Sequence, residues 1–178
     1  MTKLMYTFKS DVLFKMLFVK YSNLLKKLIS ELLCIRLESI GQFVITNPEI
    51  PPEILGGKYC RLDIHMTVDG ALVDCEIQVE KQNYFPERAL YYWARDYSAA
   101  LGESMKYYDL PRTVTISIID FNLFDCASFH SEFQALEVTR HTQLTDKISL
   151  IFFELPKLPK TIRADQGMEL WLKLFDAE

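Results

Sequence analysis

A mixed α/β domain with a β-hairpin inside its sheet is what this sequence predicts, and three observations predict it. Residues 59–68 and 71–79 alternate apolar and polar side chains on either side of Asp69-Gly70, a dipeptide suited to a two-residue hairpin turn. Helix-spaced apolar residues open and close the chain and fill residues 86–101 between. Two further runs, 112–121 and 147–154, are rich in β-branched and aromatic residues and read as strands.

Taken in order, the first helix covers residues 10–20. Ser10 is its N-cap, Asp11 sits in its first turn, and Phe14, Leu17, Phe18 and Tyr21 supply the apolar face. A second helix reads from Asn23 to Leu37 through Leu24, Leu25, Leu28, Ile29, Leu32 and Leu33. Phe43 to Ile45 is a short strand, and Asn47 to Gly57, with three prolines and two glycines, is a loop. In the hairpin, Leu62, Ile64, Met66 and Val68 share one face with Arg61, Asp63, His65 and Thr67 opposite. Its second strand sets Ala71, Val73, Cys75, Ile77 and Val79 against Leu72, Asp74, Glu76 and Gln78. A helix from Pro86 to Leu101 is ended by Gly102, and a last one runs from about Asp165 through Trp171, Leu172 and Leu174. The element order is α-α-β-β-β-α-β-β-α.

Composition narrows the class. At 178 residues and 49% hydrophobic, the chain fits one domain over residues 1–178 with a real core. Charged residues at 25%, with 6 glycines and 7 prolines, exclude disordered and fibrous proteins. No apolar run reaches the ~18 residues of a membrane span. Lys3, Lys9, Asp11 and Lys15 interrupt the opening apolar stretch, which excludes a secretory signal and implies a cytoplasmic protein with no membrane partner. Cys34, Cys60, Cys75 and Cys126 show no CxxC spacing, so buried free thiols are expected. The net charge of −4 is the wrong sign for coating nucleic acid by charge alone.

A two-residue turn at Asp69-Gly70 pairs Val68 with Ala71, and every cross-strand pair then sums to 139. Asp63 lies opposite Glu76, His65 opposite Asp74, and Arg61 opposite Gln78, all on one side of the sheet. Directly opposed side chains have Cβ atoms ~4.5–5.5 Å apart, where two carboxylates repel and call for a cation or a shared proton. Hard oxygen ligands suit Mg²⁺ or Mn²⁺. A solvated polar strand face gives the same alternation, so the pattern alone leaves both readings open.

Leu62-Asp63-Ile64 followed by Cys75-Glu76-Ile77-Gln78 resembles the PD-(D/E)XK nuclease signature. The surroundings resemble its recombination-promoting nuclease and transposase branch in five pieces: SDVLFKMLF at 10–18, GKYCRLDIHM at 57–66, VDCEIQVE at 73–80, ERALYYWARDYSAAL at 87–101 and SLIFFELPKL at 149–158. The likeness runs from about residue 8 to 176. It implies a restriction-endonuclease-like mixed sheet flanked by helices, a Mg²⁺ (or Mn²⁺) site, and endonucleolytic cleavage of DNA in recombination, transposition or defence. Asp63, Glu76 and the Ile77 carbonyl become metal ligands. Gln78 stands where many nucleases carry lysine, though glutamine is common in the branch it resembles; Arg61 and Lys81 are candidates to compensate, and strand parity favours Arg61. Asp11 would orient the attacking water, with Glu31 as a weaker alternative, while Lys15, Lys81, Arg88 and Tyr92 would contact DNA.

Plainer readings exist for several of these. Asp11 and Lys15 form an i, i+4 pair worth only ~0.3–0.5 kcal/mol if exposed. Arg88, Tyr92 and Arg95 share a helix stripe that could be a solvated face, and Trp93 and Tyr97 read as core. His130 and His141 fall in loop-like sequence without ligand spacing. A degenerate relative that binds DNA or protein without cutting is the alternative function, and a small-molecule metallohydrolase is a third. Members of the family it resembles often continue past this point, so a C-terminal extension carrying the missing groove charge is an expectation; assembly into a homo-oligomer is left open.

Overall fold

The computed structural model describes residues 11–47, 64–162 and 165–176, and for Asp11 and Val12 the backbone alone. Ser10, the segment 48–63 with Cys60, Arg61 and Asp63, and the Asp11 side chain lie outside the described residues.

Among the described residues six strands form one mixed sheet in the order β1-β2-β3-β4-β6-β5. They are β1 (Phe43–Ile45), β2 (Ile64–Val68), β3 (Ala71–Gln78), β4 (Thr113–Ile119), β5 (His130–Phe133) and β6 (Ile148–Glu154). The pairs β1–β2, β2–β3 and β5–β6 are antiparallel, whereas β3–β4 and β4–β6 are parallel. Every residue of β4 is buried, as a central strand with helices over both faces requires.

One face carries α1 (Asp11–Lys20), α2 (Ser22–Leu32) and α4 (Gly167–Asp176). Phe14, Phe18, Leu28 and Phe175 pack there on Val73, Cys75, Ile116, Ile118 and Phe153. The other face is crossed by α3 (Phe85–Ala99), where Phe85 and Ala89 meet Ile119, Leu150 and Phe152. The flanked mixed sheet is the one the sequence predicts.

The hairpin turn has its expected chemistry. Asp69 and Gly70 have φ of 47° and 84°, the left-handed pair of a type I′ turn. Asp69 Oδ1 also accepts the Gln42 amide at 2.7 Å, which ties the turn to the segment leading into β1.

Four expectations need correction. A fifth-in-order strand, β5, occupies a stretch read as loop, and it contains His130. Helix α2 stops at Leu32 instead of Leu37, because Cys34 turns left-handed at φ 53°. The amides of Cys34 and Ile35 then bond the carbonyls of Glu31 and Ser30 at 3.1 and 2.9 Å, a Schellman ending without its usual glycine. Helix α3 ends at Ala99 with Ala100 bonding back to Asp96, so Gly102 is not its left-handed cap. Cys34 and Cys126 are exposed; among the described cysteines, Cys75 alone is buried.

The left-handed Cys34 yields a stability prediction. Cβ strain at such a position costs about 1–2 kcal/mol, part of which glycine returns through its freer unfolded chain. Cys34→Gly should therefore raise stability by about 0.5–1 kcal/mol. A urea midpoint that falls instead would mean the thiol makes a compensating interaction.

Candidate active site

The β2–β3 hairpin builds the site, and its register is the expected one. Ile64 pairs with Cys75, His65 with Asp74, Met66 with Val73, Thr67 with Leu72, and Val68 with Ala71. Asp63 is one residue beyond the described strand, so its pairing with Glu76 remains the expectation that this register extends.

The polar face of β3 is not solvated. Asp74 and Glu76 are only 4% and 3% exposed, because β3 lies inside the sheet and α3 covers that face. Buried carboxylates need partners. Glu76 lies beside Ser117 in the parallel β3–β4 register, and the Ser117 hydroxyl donates to its Oε1 at 3.0 Å. Its Oε2 faces Arg88 Nη2 at 3.3 Å.

Arg88 is held from four sides. Nη2 also donates to Gln78 Oε1 at 3.0 Å, and Nη1 donates to Gln82 Oε1 at 2.5 Å. The guanidinium lies 4.6 Å from the Phe85 ring centroid. Phe85 is fully buried and meets Phe121 and Phe152 edge-on, which anchors the first turn of α3. The Gln78 amide donates to the Glu80 carbonyl at 3.0 Å, leaving its oxygen to Arg88. Glu76, Gln78 and Arg88 thus come together; these side chains are 12 residues or fewer apart in sequence but lie on two different elements.

The other sequence candidates divide. Tyr92 lies one turn along α3 from Arg88, half-buried, with the Arg95 guanidinium 4.8 Å over its ring. Lys81 is exposed beyond β3, where its ammonium donates to the Asn122 carbonyl at 2.9 Å. Lys15 is 4% exposed on α1, beside Phe14 and Phe18, which corrects its placement on a rim. The Glu31 carboxylate packs against Gly167 at the start of α4, where an added Cβ would come within 2.6–2.8 Å of it; that is not the hairpin. Trp93 stacks on Tyr97 at 5.0 Å and donates its indole N–H to the Thr113 carbonyl at 2.8 Å, a packing role as read. His130, on the edge strand β5, stacks at 4.8 Å on Phe153, its register partner on β6.

A second group joins the expected His65–Asp74 pair to a residue the sequence did not point to. His65 Nε2 is 3.7 Å from Asp74 Oδ1, and its Nδ1 is 3.7 Å from Asp96 Oδ2 on α3. One ligand atom from each lies within 4.8 Å of the others, a spacing able to hold a cation. They border a cavity of about 570 Å³ with Met105, Asp109 and Pro111. Same-face residues two apart on a strand are separated by ~6.8 Å. Asp74 and Glu76 are thus neighbours on one strand face, Asp74 turned to His65 and Glu76 to Arg88. The missing signal was Asp96: nothing in sequence spacing fixes how α3 lies over β3.

A family model described as PD-(D/E)XK nuclease family transposase matches residues 8–178. The chain belongs to that family. No curated protein and no solved structure matches it. For a PD-(D/E)XK nuclease family transposase the flanked mixed sheet is the restriction-endonuclease-like α/β fold, and family membership gives the chain a nuclease-like or transposase-related role. Among the described residues no helix is long and apolar enough to cross a membrane.

Proposed function

We propose that the chain is a divalent-metal-dependent DNA endonuclease that hydrolyses phosphodiester bonds in the cytoplasm, in recombination, transposition or defence against foreign DNA. The observation that carries this reading is Glu76. It is buried at 3% exposure, two residues before Gln78 on β3, and it already faces a cation, Arg88.

The residues fit a hard divalent ion. Glu76 supplies carboxylate oxygen in a pocket that tolerates positive charge, and the hairpin register favours Asp63 directly opposite. Asp63, Glu76 and the Ile77 carbonyl would hold Mg²⁺ or Mn²⁺. When bound, such an ion neutralises phosphate charge and makes water more acidic. The chain's own groups do the rest. Asp11 orients the water; Gln78 seats Arg88, and Arg61 and Arg88 donate to phosphate oxygens; Tyr92 and Lys81 line the approach. The water oxygen attacks phosphorus in line, the opposite P–O bond breaks, and the departing oxygen takes up a proton.

The alternative is a family member that binds DNA or a protein partner without cutting. The glutamine at position 78 and the net charge of −4 favour it. Incubating supercoiled plasmid with the protein and Mg²⁺ or Mn²⁺ separates the two. Wild type should give nicked and linear DNA, while Asp63→Ala leaves the plasmid intact. Intact plasmid with wild type in both metals would favour the binding reading, and equal cutting by both proteins would indicate a contaminating nuclease.

A further inference from the structure

We infer that Arg88 of α3 supplies the positive charge that the strand lacks at Gln78. This deepens the endonuclease reading and rests on it. The sequence pointed across the hairpin to Arg61 for this charge; the geometry points to the helix.

Position 78 shares a strand face with Glu76, so a lysine there would place its ammonium beside the Glu76 carboxylate. Gln78 brings an amide instead. Its oxygen accepts from Arg88 Nη2 at 3.0 Å, and the same nitrogen faces Glu76 Oε2 at 3.3 Å. Gln78 thus acts as a bracket that seats a cation from another element near the place a lysine ammonium would reach. Gln82 and Phe85 complete the seat. Lys81 is directed elsewhere, to the Asn122 carbonyl.

A guanidinium held this way is preorganised. Its effect is charge stabilisation and phosphate orientation. Its fork of N–H donors matches phosphate oxygens. It also shares Glu76 with any bound metal, and two cations on one carboxylate oppose each other. Removing Arg88 should therefore weaken cleavage without weakening metal binding. A merely structural arginine would, when removed, lower both.

The test compares wild type, Arg88→Gln, Arg88→Lys, Gln78→Lys and the Arg88→Gln/Gln78→Lys double variant. Each is assayed for plasmid nicking, for Mn²⁺ binding by calorimetry and for melting temperature. Arg88→Gln should cut roughly a hundredfold to thousandfold more slowly, the usual loss for one preorganised donor. It should bind Mn²⁺ at least as tightly as wild type. Arg88→Lys keeps the charge without the fork and should fall between, which guards against a folding defect in the glutamine variant. The double variant should recover at least tenfold over Arg88→Gln.

Nicking by Arg88→Gln within about threefold of wild type overturns the inference. So does joint loss of nicking and Mn²⁺ binding, or failure of the double variant to recover. Wild type that neither nicks nor binds Mn²⁺, like its Asp63→Ala control, would instead bring down the endonuclease reading and this inference with it.

Discussion

Glu76→Gln is expected to slow plasmid cleavage by at least about a thousandfold and to weaken Mn²⁺ binding in the same sample. The substitution removes one charge and almost no volume. The glutamine oxygen can still accept from Ser117, so the local packing has little reason to change. What changes is the field at the site. A carboxylate is replaced by a neutral amide where a divalent ion and Arg88 are both to be balanced. A single preorganised electrostatic contact is worth about 2.7–4 kcal/mol in a transition state, and losing a charged ligand sits at or beyond the upper end. At 1.36 kcal/mol per tenfold, about 4 kcal/mol is a factor of roughly a thousand. Nicking time courses and calorimetry check it. A Glu76→Gln protein that cuts at near wild-type rate would place the metal elsewhere, and the His65, Asp74 and Asp96 group would be the next place to look.

The hairpin was legible because two signals agreed. Alternation set the faces, and Asp69-Gly70 set the register; both act over a few residues and leave little room for tertiary context. Strands β4 and β6 were legible for the same reason, since a run such as Thr113–Ile119 suits a strand covered on both sides. What failed to show was structure that depends on a distant partner. The polar His130–Phe133 segment becomes a strand only because β6 offers it an edge. The end of α2 relies on Cys34 accepting a left-handed backbone, which carries no glycine to announce it.

The site divides along the same line. Residues that share the hairpin could be placed by counting, which is why Glu76, Gln78, Asp74 and His65 were correctly set on one face. Residues brought by α3 could only be guessed as a stripe. Arg88 was on that stripe and arrives at Glu76, whereas Asp96 arrives at His65 unannounced. The burial of Asp74 and Glu76 was also invisible, because alternation looks the same whether a helix or water covers the polar face.

Glu154→Ala should cost about 3–5 kcal/mol of stability, as much as truncating a large core side chain. Glu154 ends β6, in register with Ile119, which itself is in register with Gln78. Its side chain is fully buried and serves two ends at once. Oε1 accepts the amides of Leu123 and Phe124 at 2.5 and 3.2 Å, and Oε2 meets the Lys157 ammonium at 2.7 Å. Burial pulls the Lys157 pKa down, but the Glu154 hydrogen bond and charge outweigh it and hold the pKa above the ordinary lysine value. A raised folded pKa contributes stability that is complete below the usual lysine range and is lost as pH rises through the raised value. The Lys157 shift therefore gives no pH dependence near neutrality. Removing one partner of a buried pair costs about 3–5 kcal/mol, and each backbone donor left without an acceptor adds to the loss. For a chain of this length that corresponds to a fall in Tm of roughly 6–20 °C. Lys157→Met separates the two roles, because it breaks the ion pair and keeps the amide cap. If the cap dominates, Lys157→Met should cost less than half of what Glu154→Ala does, and Glu154→Gln should fall between them. Equal losses for Glu154→Ala and Lys157→Met would assign the stability to the ion pair. A Glu154→Ala protein melting within about 2 °C of wild type would show that neither contact holds the loop after β4 in place.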